Sequence, residues 1–217
     1  SERRATMPVL SHVLITLKNN KIEISATDLE TTMSTWCDAE VEKEGSLAIP
    51  ARKLYEIVKE LPDGQIEIEE IGNHWVEIRS SSANFKIAGL PSEDFPIIPE
   101  LHSDNLFSVE SFLIEDMISK TIFAVSPDEL RRNLAGIYFE ESSEKNLRLV
   151  ATDGHRLSLV EKKIDGGVKF DKGFVVPKKG VAELRKVLRL SETVKIGVGD
   201  NFFMAEGENI VLIARLI

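Results

Sequence analysis

The sequence lacks several features on which large classes of protein depend. It has one cysteine, Cys37, among 217 residues, so it can form neither an internal disulfide nor a multi-cysteine metal site, which favours a reducing compartment. No apolar run approaches the roughly 20 residues of a membrane-spanning helix. The opening SERRATMPVL has no apolar core of the kind found in signal peptides. These absences predict a globular, cytoplasmic protein.

Positive charge is also scarce, and at first sight this excludes a nucleic-acid partner. The chain carries 27 Lys and Arg against 36 Asp and Glu, a net charge of −9, whereas phosphate binding needs clustered bases. The balance is uneven, however: residues 1–103 have 10 bases against 18 acids, and residues 104–217 have 17 against 18. The segment 178–189 alone holds five bases and one acid. The bases are gathered on helices and the acids on strands, which favours a surface that faces a polyanion. The alternative that these bases only form a solvent-exposed helix face is not excluded.

Four short motifs occur twice, in the same order and at nearly constant separation. Ala26–Asp28 returns as Ala151–Asp153, 125 residues later, each time after an alternating apolar run. The other pairs are 124 to 127 residues apart: Leu10–Ile15 with Leu134–Phe139, Ile49–Leu54 with Val176–Val181, and Phe85–Leu90 with Val211–Leu216. Repetition at a fixed period marks a duplicated structural unit. The sequence therefore predicts two copies of one domain, over residues 1–103 and 104–217.

Each copy is predicted to contain short strands and one clear helix. In the first copy, alternation and turn residues predict strands over 13–17, 21–27, 33–41, 46–49, 65–70, 74–80 and 84–88. Apolar residues at helical spacing follow Pro50, namely Leu54, Ile57, Val58 and Leu61, and a similar stripe follows Pro177. The second copy has a further predicted helix over 111–122, which the first has no room for. We therefore expect an α+β protein that begins inside a longer chain.

The polar cluster Thr152–Leu157 lies between apolar runs and allows two interpretations. In a hydrolase, Asp153 would orient His155 as a general base, but the sequence has no GxSxG motif to supply a nucleophile. In a structural turn, Asp153 would cap backbone amides and Gly154 would adopt a positive φ. The second interpretation is favoured, yet it leaves the two residues after the glycine without a role. The four histidines are too widely spaced for a metal site, so no metal or other cofactor is expected.

Five stretches together resemble the bacterial DNA polymerase III β subunit family, the β sliding clamps. They are Arg4–Leu10, Ala26–Glu30, Ile49–Lys53, Gly89–Pro96 and Ala151–Leu157, of which GLPSEDFP and ATDGHRL are the most specific. The resemblance covers essentially the whole chain. It implies the DNA clamp, or processivity, fold, in which repeated domains have antiparallel outer sheets and inner helices. It also implies three domains per chain, so that the opening strand and helix of the first domain and the entire third domain are missing here.

The resemblance implies a non-catalytic processivity factor of the bacterial replicative DNA polymerase III, a head-to-tail homodimeric ring around double-stranded DNA. The bases expected to face DNA are Arg4, Arg52, Arg131, Lys178, Lys179 and Arg185. A groove would receive linear motifs of the polymerase III catalytic subunit, the clamp loader, other DNA polymerases and mismatch-repair proteins. One wall of it matches Leu134, Thr152, Gly154, His155, Arg156 and Leu157. Phe85 and Ile87 match the strand at the dimer interface. A protein-interaction module without a DNA role stays open as an alternative.

Overall fold

A computed structural model describes residues 7–99, 106–128, 130–168, 170, 172–199 and 201–217. The chain divides into two compact units, Ser1–Ile98 and Pro99–Ile217, and both combine antiparallel strands with short helices. The repeat places its boundary after Ser103, which lies outside the described residues, as does Arg4. Within the described residues, no helix is both long enough and apolar enough to cross a membrane.

In its described residues the first unit has eight strands and one α-helix. The strands are β1 (His12–Lys18), β2 (Lys21–Thr27), β3 (Thr31–Asp38), β4 (Gly45–Pro50), β5 (Glu67–Gly72), β6 (Trp75–Arg79), β7 (Asn84–Ala88) and β8 (Leu90–Pro91), and the helix is α1 (Ala51–Glu60). One antiparallel sheet has the strand order β8-β4-β1-β2-β3, and a second has the order β5-β6-β7. The predicted strands therefore correspond to β1 through β7, with shifts of a few residues at their ends.

Local chemistry explains where these elements begin and end. Asn19 and Asn20 have φ of 52° and 54°, the left-handed conformation that a tight hairpin turn between β1 and β2 requires. Helix α1 begins directly after Pro50 and buries Leu54 against the sheets. Val58, which has the same helical spacing, is 44% exposed, so the apolar stripe of α1 is not buried along its whole length. The core of the unit is formed by Ile15, Leu47, Ile49, Leu54, Val76, Ile78 and Ile87.

The described residues of the second unit form eight strands and two α-helices. They are β9 (Phe107–Glu110), α2 (Ser111–Ser119), β10 (Gly136–Glu141), β11 (Leu147–Thr152), β12 (Leu157–Lys162), β13 (Phe174–Pro177), α3 (Lys178–Leu190), β14 (Thr193–Gly199), β15 (Phe202–Glu206) and β16 (Ile210–Arg215). One sheet has the order β12-β11-β10-β13, and the other strands have the order β16-β15-β14-β9. Helix α2 ends earlier than the predicted 111–122, because residues Ile122–Ala124 form a separate 3-10 turn.

The second unit has a core built around a chain of aromatic rings. Phe139 and Phe174 stack with their centroids 5.7 Å apart, and Phe174 meets Phe170 edge to face at 4.8 Å. Helix α3 completes the core with a stripe that is entirely buried or nearly so, consisting of Val181, Leu184, Val187 and Leu188. With this stripe fixed against the sheets, the bases that flank it on α3 lie at or near the surface.

The two units repeat one order of elements. The series β1 to β4, α1, β5 to β7 in the first unit corresponds to β10 to β13, α3, β14 to β16 in the second. The duplicated motifs fall at equivalent places: Ala26–Asp28 ends β2, and Ala151–Asp153 ends β11. Strand β9 and helix α2 are the elements of the second unit without a counterpart in the described residues of the first.

Candidate functional site

The turn after β11 is held by the side chains of its own first residues. Asp153 Oδ1 accepts hydrogen bonds from the backbone N–H groups of His155 and Arg156, both at 3.0 Å. Thr152 Oγ1 accepts the N–H of Gly154 at 3.1 Å and donates to the carbonyl of Arg156 at 2.7 Å. The backbone amides of His155 and Arg156, followed by the Arg156 guanidinium, lower the pKa of Asp153 to about 2. Asp153 is therefore an ionised turn cap, as the structural interpretation predicts.

The first unit contains the same turn after β2. Asp28 Oδ1 accepts the N–H groups of Glu30 at 3.0 Å and Thr31 at 2.7 Å. Leu29 has a φ of 74° at the position where the second unit has Gly154 with a φ of 89°. Because both copies share the Asp cap, the cap is a property of the fold. A function specific to the second unit must depend on the three residues after the glycine, which are His155, Arg156 and Leu157.

The geometry does not support the hydrolase alternative. The Asp153 carboxylate bonds to the backbone N–H of His155 and to Arg156, so it does not orient the exposed His155 ring as a general base. In the part of the chain that the structure describes, no group of three or more His, Cys, Asp and Glu side chains could hold a metal ion.

Arg156 is held in place from two sides while remaining exposed. Its Nε donates to Asp153 Oδ2 at 3.0 Å, and its Nη2 donates to the backbone carbonyl of Phe123 at 2.8 Å. The guanidinium carbon also lies 5.6 Å from the centroid of the Phe123 ring, a cation–π contact. Two residues further, Ser158 Oγ donates to the carbonyl of Lys120, which ties β12 to the end of α2. The guanidinium is thus preorganised, so a ligand that bound it would not have to order it first.

Arg131 lies beside this turn and joins it to the preceding loop. Its Nη1 donates to the carbonyl of Asp153 at 2.9 Å. A side chain at Gly154 would place its Cβ 2.8 Å from Arg131 Nη2, so glycine is favoured there by space as well as by its positive φ. The chain then passes through a 3-10 turn to Leu134, which is half-buried. On the other side, Leu157 is 64% exposed and pairs in register with Thr152.

The structure thus brings together most of the residues predicted to form the peptide-binding wall. Thr152, Gly154, His155, Arg156 and Leu157 form one turn, and Arg131 links this turn to the segment that ends at Leu134. Arg131 was predicted to face DNA, and its hydrogen bond gives it a place beside the wall. Phe123 was not predicted, because its contact with Arg156 spans 33 residues and no spacing pattern marks it.

Helix α3 begins with two lysines where a helix ordinarily prefers acids. Lys178 and Lys179 occupy its first turn, both are exposed, and no acid lies in that turn. The N-terminus of a helix carries partial positive charge, so two lysines there raise the free energy of the helix end. An anion bound at this end would reverse that cost, since backbone amides and ammonium groups would both face it. The arrangement suits a phosphate-bearing ligand.

Two other predicted DNA-facing bases have acidic partners. Arg185 Nε lies 2.9 and 3.0 Å from the two carboxylate oxygens of Glu115 on α2, and this hydrogen bonding raises the pKa of Arg185. Arg52 Nε donates to Glu56 at 2.8 Å within the exposed face of α1. Part of the positive charge predicted for these helices is therefore offset inside the chain.

The residues predicted at a dimer interface point into the first unit. Ile87 is 3% exposed, and half-buried Phe85 packs against the same core. Their strand, β7, is an edge strand of the sheet β5-β6-β7 as described, so its backbone and not these side chains would meet a partner. An interface formed by the edge of β7 stays a prediction.

Comparison with known proteins gives the family of this chain. The model of the DNA polymerase III beta subunit N-terminal domain matches residues 2–99, and that of the central domain matches residues 108–217. The beta sliding clamp of Caulobacter vibrioides is 36% identical over 203 residues, which cover 91% of this chain and 55% of that protein. The beta sliding clamp of Vibrio cholerae is 34% identical over 217 residues, with coverages of 99% and 58%.

Solved structures agree with the sequence comparisons. A DnaN sliding clamp from Bartonella birtlesii, bound to griselimycin, has a TM-score of 0.90 at 34% identity and covers 100% of this chain and 59% of that one. A DNA polymerase III beta subunit structure from Eubacterium rectale has a TM-score of 0.92 at 31% identity. The chain spans little more than half the length of these relatives. Its fold is that of the DNA sliding clamps, and the chain belongs to the DNA polymerase III beta subunit family.

Proposed function

We propose that this chain forms part of a ring around duplex DNA that raises the processivity of the bacterial replicative DNA polymerase III and has no catalysis of its own. Family membership supports this proposal, and so does the lack of a usable catalytic pair around Asp153 and His155. The observation that carries it is the basic start of α3, because Lys178 and Lys179 oppose the helix dipole without an acid in the first turn. Such an arrangement is explained by an anionic partner.

The ring binds DNA through phosphates and not through bases. Attraction between lysines and phosphates arises from counterion release, which is independent of sequence and permits sliding. The overall charge of −9 does not oppose this, since most of the excess acid belongs to residues 1–103. Acids elsewhere on the surface of the ring also repel DNA, so they limit its non-specific binding anywhere but at the basic helices.

The lysine pair gives a direct test of the DNA surface. Replacing Lys178 and Lys179 by Ala in the full-length protein removes two phosphate-facing charges, so the slope of log affinity against log salt should become shallower by up to about 1.8. Lys195→Ala is the matched control, because Lys195 lies on β14 beside Glu206 and not on a helix. DNA affinity and slope that do not change in the double variant would favour an interaction module without a DNA role.

The turn after β11 forms one wall of a groove for linear peptides of the polymerase III catalytic subunit, the clamp loader, other DNA polymerases and mismatch-repair proteins. Exposed Leu157 and half-buried Leu134 offer an apolar seat, and Thr152, His155 and Arg156 offer polar contacts. The preorganised guanidinium of Arg156 suits a peptide carbonyl or carboxylate.

Peptide docking can be tested by magnetic resonance. A peptide with a hydrophobic anchor and an acidic residue should shift the resonances of His155 and Arg156 in the full-length protein, and Arg156→Ala should weaken its affinity. Arg148→Ala serves as a control, since Arg148 belongs to an ion-pair network with Glu140 and Glu161 on the same sheet. Shifts confined to other residues would reject this surface as the docking site.

We further propose that the complete ring is a head-to-tail homodimer in the cytoplasm. Edge strand β7 supports the first point, because its outer backbone groups can pair with a strand of a second copy. The single cysteine supports a reducing compartment. Analytical ultracentrifugation of the full-length protein should give the mass of two chains, and Lys86→Pro, which removes a backbone N–H that faces away from β6, should shift it toward one.

A further inference from the structure

The seam between α2 and α3 contains a base that is neutralised from a neighbouring helix. Arg185 contacts Glu115 through Nε at 2.9 and 3.0 Å and through Nη2 at 2.5 Å, across 70 residues of sequence. Both side chains stay partly exposed, at 34% and 28%. A bidentate pair of this kind can help to hold the two helices together, and at this exposure it also changes the charge that the surface presents.

The position of Arg185 on its helix shows what the pair changes. Lys178, Arg185 and Arg189 are separated by seven and four residues, so they lie one after another along one face of α3. Lys178 and Arg189 are exposed at the two ends of this row, and Arg185 is its centre. Glu115 therefore cancels the positive charge at the middle of the row and leaves it at the ends.

The adjacent row of the same helix is built alike. Lys186 Nζ lies 2.6 and 2.8 Å from the carboxylate oxygens of Glu183, one turn earlier, and Lys179 lies at the start of this row. Each row thus begins with a lysine and has a base at its centre that is paired with an acid. In one row the acid comes from α3 itself, and in the other it comes from α2.

We propose that Glu115 is a charge-offsetting residue that limits how strongly the face of α3 holds a polyanion. This inference rests on the proposed function, in which that face meets duplex DNA. A fully basic row would bind more phosphates and release more counterions, so the protein would be held more tightly at any one position on the duplex. With Arg185 engaged by Glu115, the helix attracts DNA mainly through its N-terminal end, which favours movement along the duplex.

Glu115→Gln separates this role from a purely structural one. Glutamine keeps the size of the side chain and can still bond Arg185, but it removes the negative charge. If Glu115 offsets Arg185, the variant should bind a short fluorescent duplex more tightly than the wild type, and the slope of log affinity against log salt should steepen by about 0.9. If the only role of Glu115 is to hold α2 against α3, the variant should bind DNA equally well or less well.

Two further variants complete the experiment, all in the full-length protein. Glu115→Gln with Arg185→Gln should abolish the gain, because the released charge is gone. Glu206→Gln makes the same change in net charge on β15, beside Lys195, and should steepen the slope far less. A slope that is unchanged in Glu115→Gln, or that rises equally in Glu206→Gln, overturns the inference. A wild type whose DNA affinity does not depend on salt would instead reject the proposed function itself.

Discussion

Replacing Gly154 by alanine tests whether the turn after β11 is built around Arg131. Gly154 has a φ of 89°, and an alanine Cβ would lie 2.8 Å from Arg131 Nη2. Holding an L-residue in this conformation costs about 1 to 2 kcal/mol. The fold can accommodate that cost, because Leu29 adopts a φ of 74° in the equivalent turn of the first unit.

The contact with Arg131 adds a second, separable cost. To make room, the guanidinium must shift, which weakens its 2.9 Å hydrogen bond to the carbonyl of Asp153 and costs at most about 1 kcal/mol. Gly166→Ala is the matched control, since Gly166 has a φ of 84° but nothing within 4 Å of an added Cβ. The difference between the two variants should therefore be at most about 1 kcal/mol, which comes from the Arg131 contact alone.

Two measurements check this prediction. Urea unfolding monitored by circular dichroism should give a lower midpoint for Gly154→Ala than for Gly166→Ala. Peptide binding to the full-length protein, measured by fluorescence anisotropy, should weaken in Gly154→Ala, because the turn is no longer held in the same place, and should not change in Gly166→Ala. If the two variants lose equal stability, or if peptide affinity survives Gly154→Ala, the proposed role of Arg131 in shaping the turn is refuted.

Three other predictions concern acid stability, the absence of turnover and the core. The pKa values of Asp153 and Glu161 are both lowered to about 2, by backbone amides for Asp153 and by Ser142, Asn146 and Arg148 for Glu161, so their stabilisation is present above about pH 4 and is lost as the pH falls toward 2. Asp153→Asn with Glu161→Gln should flatten the unfolding free energy over that range in an acid titration, and an unchanged acid limb would contradict the assignment. His155→Ala should weaken peptide binding without removing any hydrolytic activity, and a turnover that disappears with His155 would revive the hydrolase alternative. Leu184→Ala, at a site with no solvent exposure, should lower the unfolding free energy by about 2 to 5 kcal/mol in urea titrations, whereas a loss below 1 kcal/mol would show that α3 is not the packed helix described.

Much of the fold could be predicted because local patterns and the repeat pointed to the same elements. Alternation predicted a strand over 21–27, which is β2, and the helical spacing after Pro177 predicted α3. The repeat placed the Asp-capped turn in both copies, since Ala26–Asp28 and Ala151–Asp153 occur at the ends of equivalent strands. The family resemblance, which depended on these motifs, was confirmed by the comparisons.

The parts that escaped prediction are contacts between residues distant in sequence. Val58 has helical spacing with Leu54, yet spacing alone cannot show whether a second surface covers it, and it is 44% exposed. No spacing pattern predicts the partners of Arg185 and Arg131. Glu115 reaches the first across 70 residues, and the carbonyl of Asp153 reaches the second across 22. Such pairs result from packing and not from periodicity.

The proposed function requires that the full-length protein holds DNA by encircling it. Its retention on closed circular DNA, loaded by a clamp loader, can be measured by gel filtration before and after one cut linearises the circle. If the ring encircles DNA, the protein should stay on the circle whatever the DNA sequence and slide off once the DNA is cut. Equal retention on circular and linear DNA would contradict it.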